Sequence, residues 1–326
     1  MTITEQACKA FIQQFNTPAV RDLAWSCFSP NLINQFSTEA GNLISSNSLT
    51  LSESRKVWLH QLDQHPQPLL EAIAALKSRR LGLYHETLWH FFIANDAELD
   101  LIAHNVKVYR DKRTLGEIDV VYFCHTRQTY FHLELAIKYY LDHQLVDDIP
   151  LSNWLGPNCN DRFDFKIQRM LDHQIQLSTT PEGISTLLAL GIQSIEPEIS
   201  IKGYLFYNDD KNNNRERQEK ADTPLNPLAK HHCQQQWRHM SQFLAEQYSY
   251  DFWCHLQKPN WTSPMFTHGD TDAIMTKENL HAYLTEYFDT YERPLMLCGL
   301  TQHKERQYFR FHEQERFMIT PDQWPF

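Results

Sequence analysis

The sequence has few glycines, no paired-cysteine motif and no long apolar run, and each absence excludes a class of protein. Nine glycines in 326 residues are too few for a loop-rich or repeat architecture. No run of 18 apolar residues is present, so no membrane span and no membrane partner are predicted. The first residues lack the basic-then-apolar layout of a signal peptide. The length predicts one large domain or two small ones with a full hydrophobic core.

The cysteines stand singly, with no CxxC spacing among them. An odd, scattered set in a chain without an export signal predicts reduced thiols and a cytoplasmic protein. The spacing also gives no support to a structural zinc site. The seven positions are Cys8, Cys27, Cys124, Cys159, Cys233, Cys254 and Cys298.

A basic surplus is also missing, because the formal net charge is −10. Dedicated nucleic-acid binders usually carry the opposite balance. The charge therefore disfavours a tight, nonspecific DNA binder. It allows an enzyme that acts on a particular nucleic-acid structure, or on a small anionic substrate, through a local basic patch.

Several familiar catalytic motifs are absent as well. The chain has no Gly-rich phosphate loop, GxSxG elbow or dinucleotide fingerprint. His85 and His90 flank an acidic residue, but they are five positions apart, whereas a zinc protease helix needs four.

Two strand-like segments, Leu115–Phe123 and Tyr130–Tyr140, each carry a carboxylate where a buried apolar residue is expected. Alternation with a period of two predicts a strand with one core face and one polar face. In the second segment the core face would hold Phe131, Leu133, Leu135, Ile137 and Tyr139, and the other face Tyr130, His132, Glu134, Ala136 and Lys138.

The short connection between these segments predicts an antiparallel hairpin. A turn centred between His125 and Thr126, or one residue later, sets the register. A turn at the second position, between Thr126 and Arg127, would place Asp119 directly opposite Glu134, with Cβ atoms about 5 Å apart. A slip of one residue would turn one carboxylate to the other face. Opposed like charges are destabilising unless a cation or a shared proton intervenes. The pair therefore predicts a divalent-metal site.

The remaining pattern predicts three regions along the chain. Residues 1–78 form an N-terminal helical extension, with a loop at Ser45–Ser48. Residues 79–207 form a core in the order helix, three strands, helix, strand. Residues 208–326 form an α+β region packed on the core, after a polar loop at 208–223. The predicted helices are 5–15, 18–28, 68–76, 79–94, a segment from about 158–161 to 177, 229–247 and 277–287; the predicted strands outside the hairpin are 106–110, 201–207, 295–300 and 307–319.

This order, with carboxylates on the second and third strands and Glu86 on the first helix, resembles the core of the PD-(D/E)XK nuclease superfamily over residues 79–207. The resemblance implies an α/β fold with a restriction-endonuclease-like core, a mixed sheet flanked by helices. Further segments are similar to an uncharacterised bacterial family, the domain of unknown function 1853. They are Thr17–Trp25, Gly82–Phe92, Gly116–Asp119, Glu134–Lys138 and Trp154–Asn158.

The superfamily resemblance implies a metal site made by Asp119, Glu134 and the carbonyl of Leu135, with Glu86 in support. Oxygen ligands of this kind suit Mg²⁺ or Mn²⁺. The implied function is a Mg²⁺-dependent phosphodiesterase or nuclease acting on nucleic acid, DNA rather than RNA. The structural alternatives are an ion-paired or capped Asp119 in a buried strand and a solvated Glu86 on a helix surface.

The catalytic lysine departs from the superfamily pattern. The position two residues after Glu134 is Ala136, and Lys138 lies a further two residues along, about 13 Å from Glu134 at ~3.3 Å per residue. A bulge or a leaning side chain would bring Lys138 back, or Lys166 on the following helix would take the role. Arg162, Lys166, Arg169 and His173 recur every three or four residues and predict a basic stripe that contacts phosphates. The alternative is a solvated helix face paired with Asp161, Asp164 and Asp172.

Two other functions stay open. The first is a non-catalytic binding or scaffold protein that keeps the fold without the chemistry. The second is a two-carboxylate glycosidase, although opposed carboxyl groups are too close for an inverting enzyme. A nuclease predicts that Asp119, Glu134 and Glu86 converge on a partly exposed cleft with a positive rim. A scaffold predicts that these carboxylates are buried and satisfied by protein donors.

Overall fold

A computed structural model describes residues 4–37, 43–47, 49–143, 151–208, 227–268, 273–305 and 308–326. The protein is a mixed α/β protein with a large mixed sheet flanked by helices. The helices are α1 (Glu5–Ile12), α2 (Pro18–Phe28), α3 (Glu53–Gln64), α4 (Gln67–Ala74), α5 (Leu81–Asn95), α6 (Phe163–Arg169), α7 (Pro181–Ala189), α8 (Met240–Ala245) and α9 (Lys277–Thr290). The strands are β1 (Gln35–Ser37), β2 (Leu43–Ser46), β3 (Leu99–Arg110), β4 (Arg113–Cys124), β5 (Thr129–Asp142), β6 (Trp154–Leu155), β7 (Glu196–Tyr207), β8 (Gln234–His239), β9 (Phe252–Leu256), β10 (Phe266–His268), β11 (Ile274–Thr276), β12 (Leu295–Glu305) and β13 (Tyr308–Thr320).

The chain forms two compact units. The first comprises Met1–Lys138, Phe165–Gly203 and Thr223–His232, and the second comprises Tyr139–Asp164, Tyr204–Asp222 and Cys233–Phe326. The boundaries near residues 78 and 207 stay predictions, and the polar loop predicted at 208–223 lies, from residue 209 onward, outside the described residues.

In the first unit the strand order is β3-β4-β5-β7, with β2 parallel to β7 and β1 antiparallel to β2. Strands β4 and β5 form the predicted antiparallel hairpin. Val120 pairs with Leu133, and the ladder continues to Cys124 and Thr129. This is the register of a turn centred between Thr126 and Arg127, so the predicted register is confirmed along this ladder.

Strand β5 is buried on both faces. Every residue from Phe131 to Ala136 is buried, and His132 and Glu134 are 0% exposed. The sequence alternation had predicted one core face and one polar face, and the polar face is buried as well. Part of the cover over the neighbouring strands comes from a cluster in which Leu177 and Leu187 pack with Val108, Ile118 and Val121.

Helix α2 begins at Pro18, as predicted, since the fixed φ of proline suits the first helical position. It is buried on nearly all sides, and α5 packs against it. The Tyr84 hydroxyl donates to Asp22 Oδ2 over 2.8 Å, and His85 Nδ1 shares a 3.2 Å hydrogen bond with Ser26 Oγ. These contacts fix the rotation of α5, which carries Glu86 and His90 on a different face.

Several elements of the first unit, among them β1, were missed or wrong in the sequence prediction. Helix α3 follows the Ser52 cap, and α7 follows Thr180, whose Oγ1 accepts from the Gly183 N–H over 3.0 Å. The segment around Ser45, predicted as a loop, is strand β2 because it pairs with β7. Local serine propensity favours turns, and the long-range pairing overrides it.

In the second unit the strand order is β11-β9-β12-β13-β8-β7, with β8 parallel to both β7 and β13. The helix predicted at 229–247 is wrong, because this segment contains β8 and the short α8. The glutamines at 234–236 favour a helix, but strand pairing with β7 and β13 and the burial of Trp237, which is 3% exposed, outweigh this local preference. Trp253 lies in the core cluster with Phe243 and Phe317.

Arg316 is a fully buried cation of this second unit. Its guanidinium donates to Glu313 over 2.6 and 2.9 Å and to the carbonyls of Trp261 and Ser263 over 2.6 and 2.9 Å. Because every partner is a protein acceptor, this group has a structural role. Among the described residues, no helix is long and apolar enough to cross a membrane.

Candidate functional site

The first unit contains a cavity of about 410 Å³, here called the acidic cavity. Three carboxylates line it on one side, and two groups that can carry positive charge line it from the segment after the hairpin. The lining residues are Leu83, Glu86, Asn105, Leu115, Gly116, Glu117, Asp119, Arg169, His173, Gln174 and Leu177. The structure therefore brings together Glu86, Asp119 and Arg169 of the predicted site.

Asp119 and Glu134 lie next to each other at the end of the paired part of the hairpin. The Leu135 N–H donates to Asp119 Oδ2 over 2.9 Å, and the Asp119 N–H donates to Glu134 Oε1 over 3.4 Å. Each carboxylate thus accepts from the backbone of the opposite strand. Asp119 is half-buried and reaches the acidic cavity, whereas Glu134 is fully buried.

The Glu134 carboxylate is satisfied by two side chains. His132 Nε2 lies 2.8 Å from Glu134 Oε1, and Gln174 Nε2 donates to Glu134 Oε2 over 2.8 Å. Ser178 Oγ lies 2.9 Å from His132 Nδ1, and this hydrogen bond to the second ring nitrogen fixes the orientation of the imidazole. In a neutral His132 whose Nδ1 accepts a hydrogen bond from the Ser178 hydroxyl, Nε2–H donates to Glu134, which keeps this carboxylate in one orientation.

Lys166 is the predicted lysine that the structure places in this network. Its Nζ donates to Gln174 Oε1 over 3.1 Å, and its charge acts on both Asp119 and Glu134. Lys138 lies on β5 and interacts electrostatically with Lys166, but it is not among the residues that line the acidic cavity.

Arg162 is not part of this arrangement. It belongs to the second unit, where its guanidinium donates to both Asp164 oxygens over 2.7 and 2.8 Å. The predicted continuous helical stripe is also interrupted, because α6 ends at Arg169 and a π-helical turn, Met170–Gln174, follows. A short 3₁₀ segment, Ile175–Thr179, completes the connection.

Burial and mutual repulsion shift the titration of the acidic groups. Desolvation raises the pKa of Glu86 to about 7, with Asp119 and Glu117 as further causes. Desolvation and the Glu134 charge raise the pKa of Asp119 to about 7, and desolvation raises the pKa of Glu134 to about 7. Burial lowers the pKa of His132 to about 4, so this imidazole is neutral. Burial and Lys138 lower the pKa of Lys166.

The donor set fits a hard divalent cation. Carboxylates that repel one another are relieved by a cation, and Mg²⁺ typically takes one or two carboxylates and completes its shell with water. Within the described ranges, no group of three or more His, Cys, Asp or Glu side chains is arranged to hold a metal ion. The adjacent carboxylates of Asp119 and Glu134 are the side chains that could hold an ion here, with water completing its shell.

Sequence reasoning missed several members of the site. His132 was recognised only as a titratable residue, although its place on the same strand face as Glu134 is a usable signal. The sequence gives no sign of a role for Gln174, because the π-helical turn that places it has no simple sequence signature. His90, whose ring bonds to the Asp119 backbone and stacks on His104 at 4.2 Å, was noted only for its spacing.

The fold and these residues define a mixed α/β protein with a carboxylate cluster at an acidic cavity. The profile of the family described as Domain of unknown function (DUF1853) matches residues 21–320, and the chain belongs to that family. No curated protein and no solved structure matches the chain.

Proposed function

We propose that this protein is a Mg²⁺-dependent phosphodiester hydrolase that acts on nucleic acid, built on a PD-(D/E)XK-like core. One observation carries the proposal: Glu86 and Asp119 line the same cavity and Glu134 adjoins Asp119, while the pKa of each is raised to about 7. Raised carboxyl pKa values in a concave site are typical of functional sites. The order helix, three strands, helices, strand over residues 81–207 gives further support.

The residues take distinct roles in this proposal. Asp119, Glu134 and the Leu135 carbonyl hold the cation, and Glu86 supports it from α5. When bound, Mg²⁺ or Mn²⁺ polarises the phosphate and acidifies a bound water. Lys166 supplies the positive charge that stabilises the transition state, in place of the lysine that Ala136 replaces.

Arg169 is the proposed phosphate-binding residue at the mouth of the site. It is exposed and lines the acidic cavity, where a guanidinium can form two hydrogen bonds to one phosphate. Lys138 adds to the local positive potential near Lys166. Arg162, which pairs with Asp164, is not required by the proposal. These cations provide a local patch that attracts nucleic acid to an acidic protein, and DNA is the substrate proposed first.

The alternative function is a binding or scaffold protein without catalysis. One observation favours it: Glu134 is 0% exposed and both of its oxygens accept hydrogen bonds from protein donors. In that protein the carboxylates stabilise the hairpin and bind no cation.

Calorimetric titration with Mn²⁺ at pH 8 distinguishes the metal-dependent hydrolase from the scaffold protein, and it requires no choice of substrate. We expect saturable Mn²⁺ binding by the wild type and an affinity lowered by more than about tenfold in Asp119→Asn and Glu134→Gln. Loss of a residue that hydrogen-bonds to a metal ligand already lowers metal affinity by about 10- to 100-fold, and loss of the ligand itself should have a larger effect. Asp100→Asn, which changes an exposed carboxylate on β3, is the matched control and should bind like the wild type.

A wild type that shows no Mn²⁺ binding, or binding that survives both site variants, contradicts the proposal and favours the scaffold. Binding that depends on both carboxylates justifies a cleavage screen across single-stranded, double-stranded and branched DNA and RNA, with Asp119→Asn as the inactive reference.

A further inference from the structure

Gln174 occupies a position that neither the proposed metal site nor the fold alone explains. Its side chain lines the acidic cavity, whereas Glu134, which it contacts, is fully buried and does not line it. Gln174 therefore contacts Glu134 on one side and lines the acidic cavity on the other.

The same side chain holds two groups of opposite charge. Its Nε2 donates to Glu134 Oε2 over 2.8 Å, and its Oε1 accepts from Lys166 Nζ over 3.1 Å. The other oxygen of Glu134 is held by His132, which is itself 0% exposed and braced by Ser178. One oxygen of Glu134 is thus held by the buried His132 and the Asp119 N–H, and the other by the amide of Gln174.

The location of Gln174 allows it to move. It is the last residue of the π-helical turn Met170–Gln174, and such turns are frequent at functional sites. Its side chain lines the acidic cavity, which offers space for another rotamer. A swing of its side chain into the acidic cavity exchanges its two hydrogen bonds for hydrogen bonds to water and uncovers Glu134 Oε2.

We propose that Gln174 is a latch: it covers Glu134 and binds Lys166 in the metal-free protein, and a divalent cation displaces its amide from Glu134. The displacement also releases Lys166 Nζ from Gln174 Oε1, so that cation binding delivers the ammonium to the phosphate site. No bond other than hydrogen bonds and metal–oxygen contacts is made or broken. The inference rests on the proposed function, and it adds how the site is closed and how its lysine is controlled.

The affinity for Mn²⁺ tests the latch directly. Gln174→Met keeps the length of the side chain but cannot donate, so at pH 8.5 we expect Mn²⁺ to bind about tenfold more tightly, the change that corresponds to one charge-assisted hydrogen bond. Gln174→Lys places a permanent ammonium on Glu134 and should weaken binding, a result that holds even if the methionine variant folds poorly. Gln176→Met removes a glutamine that donates to the Leu171 carbonyl nearby, and it should bind like the wild type.

Chemical labelling of lysines gives a second readout that does not depend on activity. In the wild type, Mn²⁺ should increase acylation of Lys166 several-fold relative to the exposed Lys112, measured by mass spectrometry. In Gln174→Met, Lys166 should react at the higher rate without metal.

The possible failures are distinguishable. If wild type and Gln174→Met bind Mn²⁺ equally, or the variant binds more weakly, and binding still requires Asp119, the proposed function stands and the latch is wrong. If the wild type does not bind Mn²⁺, both proposals are wrong, whatever the variants do.

Discussion

Glu134 is a carboxylate whose two oxygens are both hydrogen-bonded although the side chain is completely buried. Burial of an ionised group is unfavourable unless it is paired or hydrogen-bonded, and otherwise the group takes up a proton. With Asp119 adjacent and Glu86 nearby, the first unit holds three carboxyl groups whose pKa is about 7. At the scale of single residues, a bound cation would reduce the repulsion between these carboxylates.

The pH dependence of stability reports this charge in the metal-free protein. The pKa of Asp119 rises from 3.8 to about 7 on folding, so the folded state binds more protons between these values and stability falls as pH rises through that window. His132, whose pKa falls from 6.5 to about 4, acts in the opposite direction, but its contribution is complete above pH 6.5. Between pH 6 and 8, Asp119→Asn should therefore gain about 1 kcal/mol of stability relative to wild type.

Urea denaturation of both proteins at pH 6, 7 and 8 with chelator present measures this difference, and Asp100→Asn serves as the control. A constant difference between Asp119→Asn and wild type across this range would show that Asp119 titrates at its ordinary pKa.

At the scale of elements, the hairpin and the neighbouring strand β7 are held together by a close backbone approach. Gly203 has φ of +139°, and an added Cβ would lie 1.6 Å from the Lys138 carbonyl oxygen. Only glycine tolerates both the backbone conformation and the contact. The strand that carries Glu134 is thus positioned by a glycine on its neighbour.

Gly203→Ala should therefore destabilise the protein by more than about 3 kcal/mol, since the backbone of β5 or β7 must move. Gly82→Ala is the matched control. Gly82 lies in α5 with nothing within 4 Å of an added Cβ, and alanine there should stabilise by up to about 1 kcal/mol. Chemical denaturation measures both changes, and a Gly203→Ala protein as stable as wild type would contradict the close approach.

At the scale of the whole molecule, the net charge of −10 opposes the approach of nucleic acid. Binding must then depend on a few local cations, which for the first unit are Lys166, Arg169 and their neighbours. Few phosphate contacts give a shallow dependence of affinity on salt concentration. The proposed substrate is consequently one whose structure, rather than its charge alone, brings a phosphate into the acidic cavity.

Loss of one phosphate contact has a defined effect on this salt dependence. In an Asp119→Asn background, which prevents cleavage, Arg169→Gln should weaken DNA binding uniformly across sequences and reduce the slope of log K against log salt by about 1. Arg113→Gln, which changes an exposed arginine at the start of β4 that does not line the acidic cavity, should leave the slope unchanged. Fluorescence anisotropy at several salt concentrations measures the slopes, and equal slopes for both variants would exclude Arg169 from phosphate binding.

The sequence alone determined the hairpin and the place of Asp119 and Glu134 on it, because these depend on local alternation and on a short connection. It left the register between two turn positions one residue apart, and it predicted α2, α5 and α9 near their observed bounds. Local interactions dominate in each of these cases.

Only the tertiary structure decided the burial of Glu134, the cover that Gln174 places over it and the conversion of residues 234–239 from a predicted helix to strand β8. Each depends on contacts between segments far apart in the sequence: Gln174 with Glu134, and β8 with β7 and β13. The physical reason is that burial and long-range pairing outweigh weak local propensities. A carboxylate on a strand has the same sequence signature whether water or a glutamine faces it.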